Sequence, residues 1–345
     1  MQLKAFFTPV VLIFPLFLFF SCTEKDPVSD EPVIYIVKTF EDARHAFGEG
    51  LSQTAEGTFT FPVDPTRVER IKMFVKLRCP DAGCNEWDMY ANIRVMEPET
   101  EEWMEMGRYI TPYGVDNSQA GRGFMIDVTD FKSILTGEVK LRSFIEVWGN
   151  DGWLVSVEFE IIEGNPDYAY YAISPILDYA DWSLAGVPYG EDHDFVLERT
   201  VNIPSNAQQS SFRTIITGWG HATPADPDGR PCSEWCFRTH DVLINGEYQF
   251  SHIMDGLGCD KNPVQPQNGN WAPDRAGWCP GMAAPVRTDI LGSPMSGLSF
   301  SYEYDFEDWT NDFQTNASNK HAYYAISSFV VVKSNEPIET PSVNN

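Results

Sequence analysis

Apolar and polar residues alternate along much of this chain with a period of two. In VKLRSFIEVW (139–148), Val139, Leu141, Ile145 and Val147 share one face, while Lys140, Arg142, Phe144, Glu146 and Trp148 share the other. LVSVEFEII (154–162) sets Val155, Val157, Phe159 and Ile161 against Ser156, Glu158 and Glu160. LSFSYEYDF (298–306) puts Leu298, Phe300, Tyr302, Tyr304 and Phe306 on one side. Successive strand residues point to opposite faces, so this pattern predicts antiparallel sheet with one packed and one wet face. Asn245-Gly246 in INGEY predicts a hairpin turn. Helix signals are scarce. The best is TFEDARHAFGEG, where Thr39 would cap a short helix ended by Gly48.

Many short strands punctuated by Gly, Pro and Asn predict an all-β fold of β-sandwich or jelly-roll type. IIEGNPDYAYY (161–171) leaves a strand through Gly-Asn-Pro-Asp near the middle of the chain. A domain boundary is expected there, with one domain over 33–165 and another over 166–335. The polar tail, 336–345, is expected to fray.

The first 22 residues, MQLKAFFTPVVLIFPLFLFFSC, have one Lys and a long apolar run before Ser21-Cys22. They read as an export signal and are set apart from the fold. The pattern resembles a bacterial lipoprotein signal, in which Cys22 carries the lipid and any membrane contact is through that anchor. Plain secretion after cleavage is the alternative, and a single-pass anchor is disfavoured by Pro15 and by length. The next residues, 23–32, are polar and Pro-containing, as a tether is.

Removing Cys22 from the seven cysteines leaves Cys79, Cys84, Cys232, Cys236, Cys259 and Cys279. An even set in an exported chain predicts disulfides; fifteen connectivities exist, and proximity favours 79–84, 232–236 and 259–279. Against 24 Lys and Arg stand 50 Asp and Glu, a formal charge of −26. Such a field repels phosphate backbones, so nucleic acid is an unexpected partner. The 14% aromatic content suits both a sandwich core and a sugar site, where CH faces pack on rings.

Several chemistries are disfavoured. No G-x-S-x-G elbow occurs, and paired cysteines leave no thiol nucleophile. The six histidines show no H-E-x-x-H spacing. Cys232, Cys236 and His240 are spaced like zinc ligands, but an oxidised pair is the expected state. Neither metal nor organic cofactor is expected. What remains is acid beside aromatic. Asp88 sits at the mouth of the alternating stretch EWDMYANIRV, after the Cys79–Cys84 loop, with Trp87 assigned to the apolar face and Tyr90 to the polar one. Glu146 and Trp148 lie two apart, and Glu234 is caged between Cys232 and Cys236. Acids held near rings are candidates for shifted pKa values and proton transfer.

At these residues a resemblance becomes specific. HAFGEGLSQTAEGTFTFPVD, CNEWDMYANIRV, GWGHA, CSEWCFRTH, NWAPDRAGWCPGM and YYAISSFVVVKSN together resemble the bacterial peptide-N-glycosidase F family, from about Val33 to Asn335. The resemblance implies two consecutive antiparallel jelly-roll β-sandwich domains packed side by side. It implies an amidase that hydrolyses the bond between Asn and the first GlcNAc, releasing the whole N-linked glycan and leaving Asp. Its substrates would be N-glycosylated proteins or glycopeptides, held by the chitobiose core, and the enzyme a monomer. Asp88 falls on the principal catalytic carboxylate, and Glu146 and Glu234 on two supporting acids. Trp148 falls on a tryptophan shaping access to the sugar. Trp219 and His221 of GWGHA, with Arg275 and Trp278, fall on the wall supplied by the second domain; Trp87 and Tyr90, flanking Asp88, complete the candidate substrate-binding set. The family's disulfide pairing agrees with the proximity choice. Met89 stands where the resemblance leads one to expect arginine, and Gly114 where it leads one to expect tryptophan, so glycan preference is not carried over. The rival readings are a non-catalytic glycan-binding lipoprotein on the same scaffold and a carboxylate-pair glycosidase.

Overall fold

The alternating segments do form strands, and among the described residues every strand pairing is antiparallel. The computed structural model describes residues 32–310 and 322–345. The expected signal, Cys22 and nearly all of the tether therefore lie outside the described residues. One sheet of the first sandwich runs Val33–Lys38, Trp153–Glu163, Val68–Arg78, Phe124–Asp127, with Ala43–His45 beside Trp153–Glu163. Its partner sheet runs Met282–Ala283, Trp103–Ile110, Tyr90–Met96, Gly137–Ile145, Thr54–Phe61. Ile71, Met73, Val75 and Leu77 from the first sheet meet Ile93, Val95 and Leu141 from the second in one core.

The second sandwich is built likewise. One sheet runs Tyr170–Tyr179, Ala322–Ser334, Gln209–Ala222, Cys232–Ser233, and the other Glu247–Met254, Arg238–Ile244, Ser299–Asp305, Glu198–Asn202, Ser342–Asn344. Phe212, Ile216, Tyr302 and Val330 anchor its core. The Asn245-Gly246 hairpin forms as expected, both residues taking positive φ. All three expected disulfides are present.

Three expectations change. The Thr39–Gly48 stretch is not helical: Ala43–His45 is a strand paired to Trp153–Val155, and Thr39 hydrogen-bonds the Val157 carbonyl. Sheet pairing satisfies these backbone groups better than one isolated turn would. The tail is not frayed at its end. Ser342–Asn344 pairs with Thr200–Asn202, and the Ser174 hydroxyl donates to the Pro341 carbonyl at 2.6 Å.

The third change matters most for function. The polar face assigned to Tyr90, Asn92 and Arg94 is dry, because the second sandwich covers it. Arg94 donates to both oxygens of Asp178 at 2.8 and 2.9 Å. Arg108 and Glu105, both fully buried, are paired at 2.7 and 2.9 Å, and Arg108 also donates to Thr217 Oγ1 and the Ala325 carbonyl. Burial alone would raise the Glu105 carboxyl, but the Arg108 charge and hydrogen bonds, with Arg94 behind, hold it below the usual range. The seam between the sandwiches is thus ionic and directional, which fixes one orientation better than a greasy contact can. Met282–Ala283 adds to the seam by lending a strand from the second half of the chain to the first sandwich.

Candidate active site

At one end of this seam the chain brings acids from both halves together. Asp88 sits just before the Tyr90–Met96 strand, in a segment pinned on both sides by one threonine. The Met89 N–H donates to Thr111 Oγ1 at 2.8 Å, and the Thr111 hydroxyl donates to the Trp87 carbonyl at 3.0 Å. The Cys79–Cys84 bridge closes the loop just upstream. Backbone placement of Asp88 is therefore rigid, and its side chain is only 13% exposed.

Arg275 comes from the second half, on the loop between Cys259 and Cys279, and is fully buried. Its Nη2 donates to Asp88 Oδ2 at 3.3 Å, the Tyr113 hydroxyl at 3.0 Å and the Asn270 carbonyl at 2.7 Å. Its Nε lies 3.7 Å from Glu234 Oε1, and its guanidinium stacks 4.2 Å over the Trp235 ring. One arginine thus bridges Asp88 and Glu234. Glu234 is held by the four-residue Cys232–Cys236 bridge and by its own carbonyl, which accepts the Ala276 N–H at 2.9 Å.

The electrostatics follow from that arrangement. Burial and the neighbouring Glu234 charge push the Asp88 carboxyl up to about 7, although Arg275 and Tyr113 pull the other way. A carboxyl poised near neutrality can both take and return a proton at physiological pH. Glu234 in turn raises the imidazole of His221, whose Nε2 lies 3.3 Å from Glu234 Oε2. The Trp235 N–H also points at that nitrogen, at 3.2 Å. Nε2 accepts from Trp235 when neutral and donates to Glu234 when protonated, never both.

Glu146 is bound elsewhere. The Gly137–Ile145 strand ends one residue before it, and its backbone N–H donates to the Tyr90 carbonyl at 2.9 Å. It stands at the same strand end as Asp88 but outside the Arg275 cluster. Its carboxylate accepts the Ser183 N–H at 2.9 Å, and burial nonetheless raises its pKa. Trp148, two residues on, is 51% exposed and meets Phe47 edge-on at 5.0 Å.

The aromatic candidates divide by exposure. Trp87, assigned to the apolar face, is instead 56% exposed, turned edge-on to Tyr113, so it and Trp148 present open rings. Tyr90 and Trp278 are buried. The Tyr90 hydroxyl donates to the Ala180 carbonyl, and the Trp278 indole N–H to the Gly218 carbonyl at 3.0 Å. These two cannot touch a sugar as placed; they support Trp219, which stacks on Trp278 at 4.6 Å and meets Tyr90 at 5.8 Å. Tyr113 and Trp235, which contact Arg275 directly, are residues that sequence reasoning missed. No spacing marks Tyr113. Trp235 stood next to a residue already singled out and could have been found.

The two departures have structural accounts. Met89 packs against the core of the first sandwich, where an arginine would have to leave its guanidinium in apolar surroundings or swing out. Gly114 has φ of 60°, and a Cβ there would come within 2.8 Å of Asn268 Nδ2. The zinc spacing is occupied otherwise: Cys232 and Cys236 are bonded to each other, and His240 Nδ1 accepts the Glu307 N–H. The one grouping of potential metal ligands among the described residues is the Cys259–Cys279 disulfide with Asp274, whose carboxylate already accepts the Gly258 and Cys259 N–H groups.

Comparison with known proteins places the chain. The family model described as peptide-N-glycosidase F, N terminal, matches residues 60–161, and that for the C-terminal part matches 189–331. A curated relative, the peptide-N(4)-(N-acetyl-beta-D-glucosaminyl)asparagine amidase F of Elizabethkingia miricola, is 52% identical over 310 residues, covering 90% of this chain and 86% of that protein. A crystal structure of that class of amidase superposes with a TM-score of 0.87 at 51% identity, over 91% of this chain and all of the other. PNGF-II, at 14% identity, shares the fold with a TM-score of 0.70, over 89% of this chain and 66% of that one.

Proposed function

The chain belongs to the peptide-N-glycosidase F family, and from that premise we propose that it hydrolyses the side-chain amide joining Asn to the first GlcNAc of an N-linked glycan. The glycan leaves whole as a glycosylamine, and the peptide keeps Asp in place of Asn. Substrates are N-glycosylated proteins and glycopeptides, engaged through the chitobiose core. The observation that carries this reading is the Arg275 bridge, which joins Asp88 of one sandwich to Glu234 of the other, with the open Trp87 ring against Tyr113 beside it.

An amide is a weak electrophile, so water must be aimed and activated, and the departing nitrogen protonated. Asp88 is assigned both proton steps. As carboxylate it takes a proton from the attacking water; as acid it returns that proton to the amide nitrogen as the carbon–nitrogen bond breaks. Arg275 keeps Asp88 oriented and moderates the repulsion from Glu234. Glu234, with His221, orients the water or the peptide side of the substrate. Glu146 accepts hydrogen bonds from the sugar, and Trp148 and Trp87 receive its CH faces. No step in this scheme calls on a metal or organic cofactor. Three disulfides suit an oxidising compartment, and the enzyme is proposed to work there as an exported monomer, tethered through a lipid on Cys22.

A defined glycopeptide separates this reading from its rivals. The expected product is deglycosylated peptide heavier by about one dalton than its Asn form, the change from NH2 to OH. A product still bearing one GlcNAc on Asn would mark a glycosidase, and unaltered glycopeptide a binding protein.

A further inference from the structure

Away from the acid centre, a concavity of about 890 Å³ opens along the seam between the sandwiches. Arg213 lines it, and His221 of the acid centre lies eight residues further along the same strand, about 26 Å of extended chain away. We propose that this groove is an accessory subsite for a neutral, hydroxyl-rich oligosaccharide, a stretch of glycan remote from the scissile bond. The proposal rests on the amidase reading for its relevance, and on the groove's own chemistry for its content.

Every cation lining the groove is already paired. Arg70 meets Asp127 at 3.2 Å, Arg213 meets Asp130 at 3.4 Å, and Lys333 meets Asp167 at 3.3 Å. Among the described residues, no lining cation is left over for phosphate, sulfate or an acidic sugar. The three aspartates, Asp127, Asp130 and Asp167, are each tied to a cation, and Glu69 is the one lining carboxylate without such a partner. What remains is a row of ion pairs, from the exposed Arg70–Asp127 to the buried Arg213–Asp130, each setting a donor beside an acceptor. That is the complement of vicinal hydroxyls, which donate and accept side by side.

Two further lining groups, Glu69 and Asn165, are exposed and make no hydrogen bond or ion pair of their own. Glu69 belongs to the first sandwich and Asn165 to the linker. Met125, half exposed, with Ala283 and Val286, gives an apolar floor for sugar CH groups. An extended polypeptide is the less suitable occupant. The strand that borders the groove, Phe124–Asp127, is a sheet edge, but its Asp127 carbonyl is taken by Arg213 Nη2 at 3.1 Å. That edge is blunted against an added strand.

The test titrates linear mannotetraose, which lacks any GlcNAc, into the intact protein and follows binding by saturation-transfer NMR. Binding is expected in wild type and in Asp88→Asn alike, undiminished by saturating N,N′-diacetylchitobiose. The double variant Glu69→Ala/Asn165→Ala should weaken it at least tenfold while cleaving a short-glycan glycopeptide at the wild-type rate, which also shows that it is folded. Absence of binding, displacement by chitobiose, an unchanged affinity in the double variant, or capture of an unglycosylated peptide in its place would overturn the subsite. Failure of wild type to cleave the glycopeptide would instead overturn the amidase reading, so the two failures are told apart.

Discussion

Replacing Asp88 by Asn should cut kcat/KM for a glycopeptide by a thousandfold or more, while the protein stays folded. The size follows from the role. Positioned proton transfer contributes about 10²–10⁴-fold, and an amide substrate needs it in both directions. Asparagine keeps the shape but can neither take nor give that proton. The same change has an opposite effect on stability. In the fold, burial and Glu234 raise the Asp88 pKa to about 7 from 3.8. A group with a raised value contributes its full stability below the unfolded pKa and loses it as pH rises through the folded one. At pH 8 the native state therefore carries a disfavoured charge, and Asn removes it. The denaturant midpoint of Asp88→Asn should match or exceed wild type at pH 8, by at most about 4 kcal/mol, and the gain should fade toward pH 4. Retained turnover would remove Asp88 from the mechanism, and a strongly destabilised variant would remove the electrostatic account.

Glu105→Gln should have the largest effect on stability. Glu105 and Arg108 are fully buried at the seam and satisfy each other twice. Removing one charge strands the other, which costs about 3–5 kcal/mol, or roughly 4–8 °C in Tm for a chain of this size. Because the Glu105 carboxyl is held below its usual range, its contribution is present above pH 4.5 and lost as pH falls further. Glu105→Leu/Arg108→Met leaves no uncompensated charge and should recover much of the stability. Calorimetry on the single and double variants checks this. A Tm for Glu105→Gln within a degree or two of wild type would show that the ionic seam is dispensable.

The strands were legible because period-two alternation marks them directly. Val155–Ile161 and Phe300–Tyr304 fall where the pattern puts them. The disulfides were legible from parity and proximity, and the resemblance to a family pointed to Asp88 and Glu234, which the fold brings to one arginine, and to Glu146, which it holds apart on Ser183. What the pattern could not tell was which wet face would stay wet. Tyr90, Asn92 and Arg94 alternate correctly against Ala91, Ile93 and Val95, yet both faces are buried, because the second sandwich covers the polar one. The seam is therefore invisible to periodicity, and with it the reason that Tyr90 is structural. Thr39–Gly48 misled for a local reason: its capping residues are real signals, but long-range pairing to Trp153–Val155 outweighs them. Tyr113 was missed because its meaning lies in Arg275, 162 residues away.

One pair of pH profiles probes the shared centre most directly. If Asp88 works as a carboxylate whose pKa is held up partly by Glu234, kcat/KM for wild type rises with pH through about 7. In Glu234→Gln that repulsion is gone, so the residual activity should rise through a distinctly lower pH. A limb that stays at the same pH in both proteins would mean that acids from the two sandwiches do not act on one another, and the proposed site would fall with it.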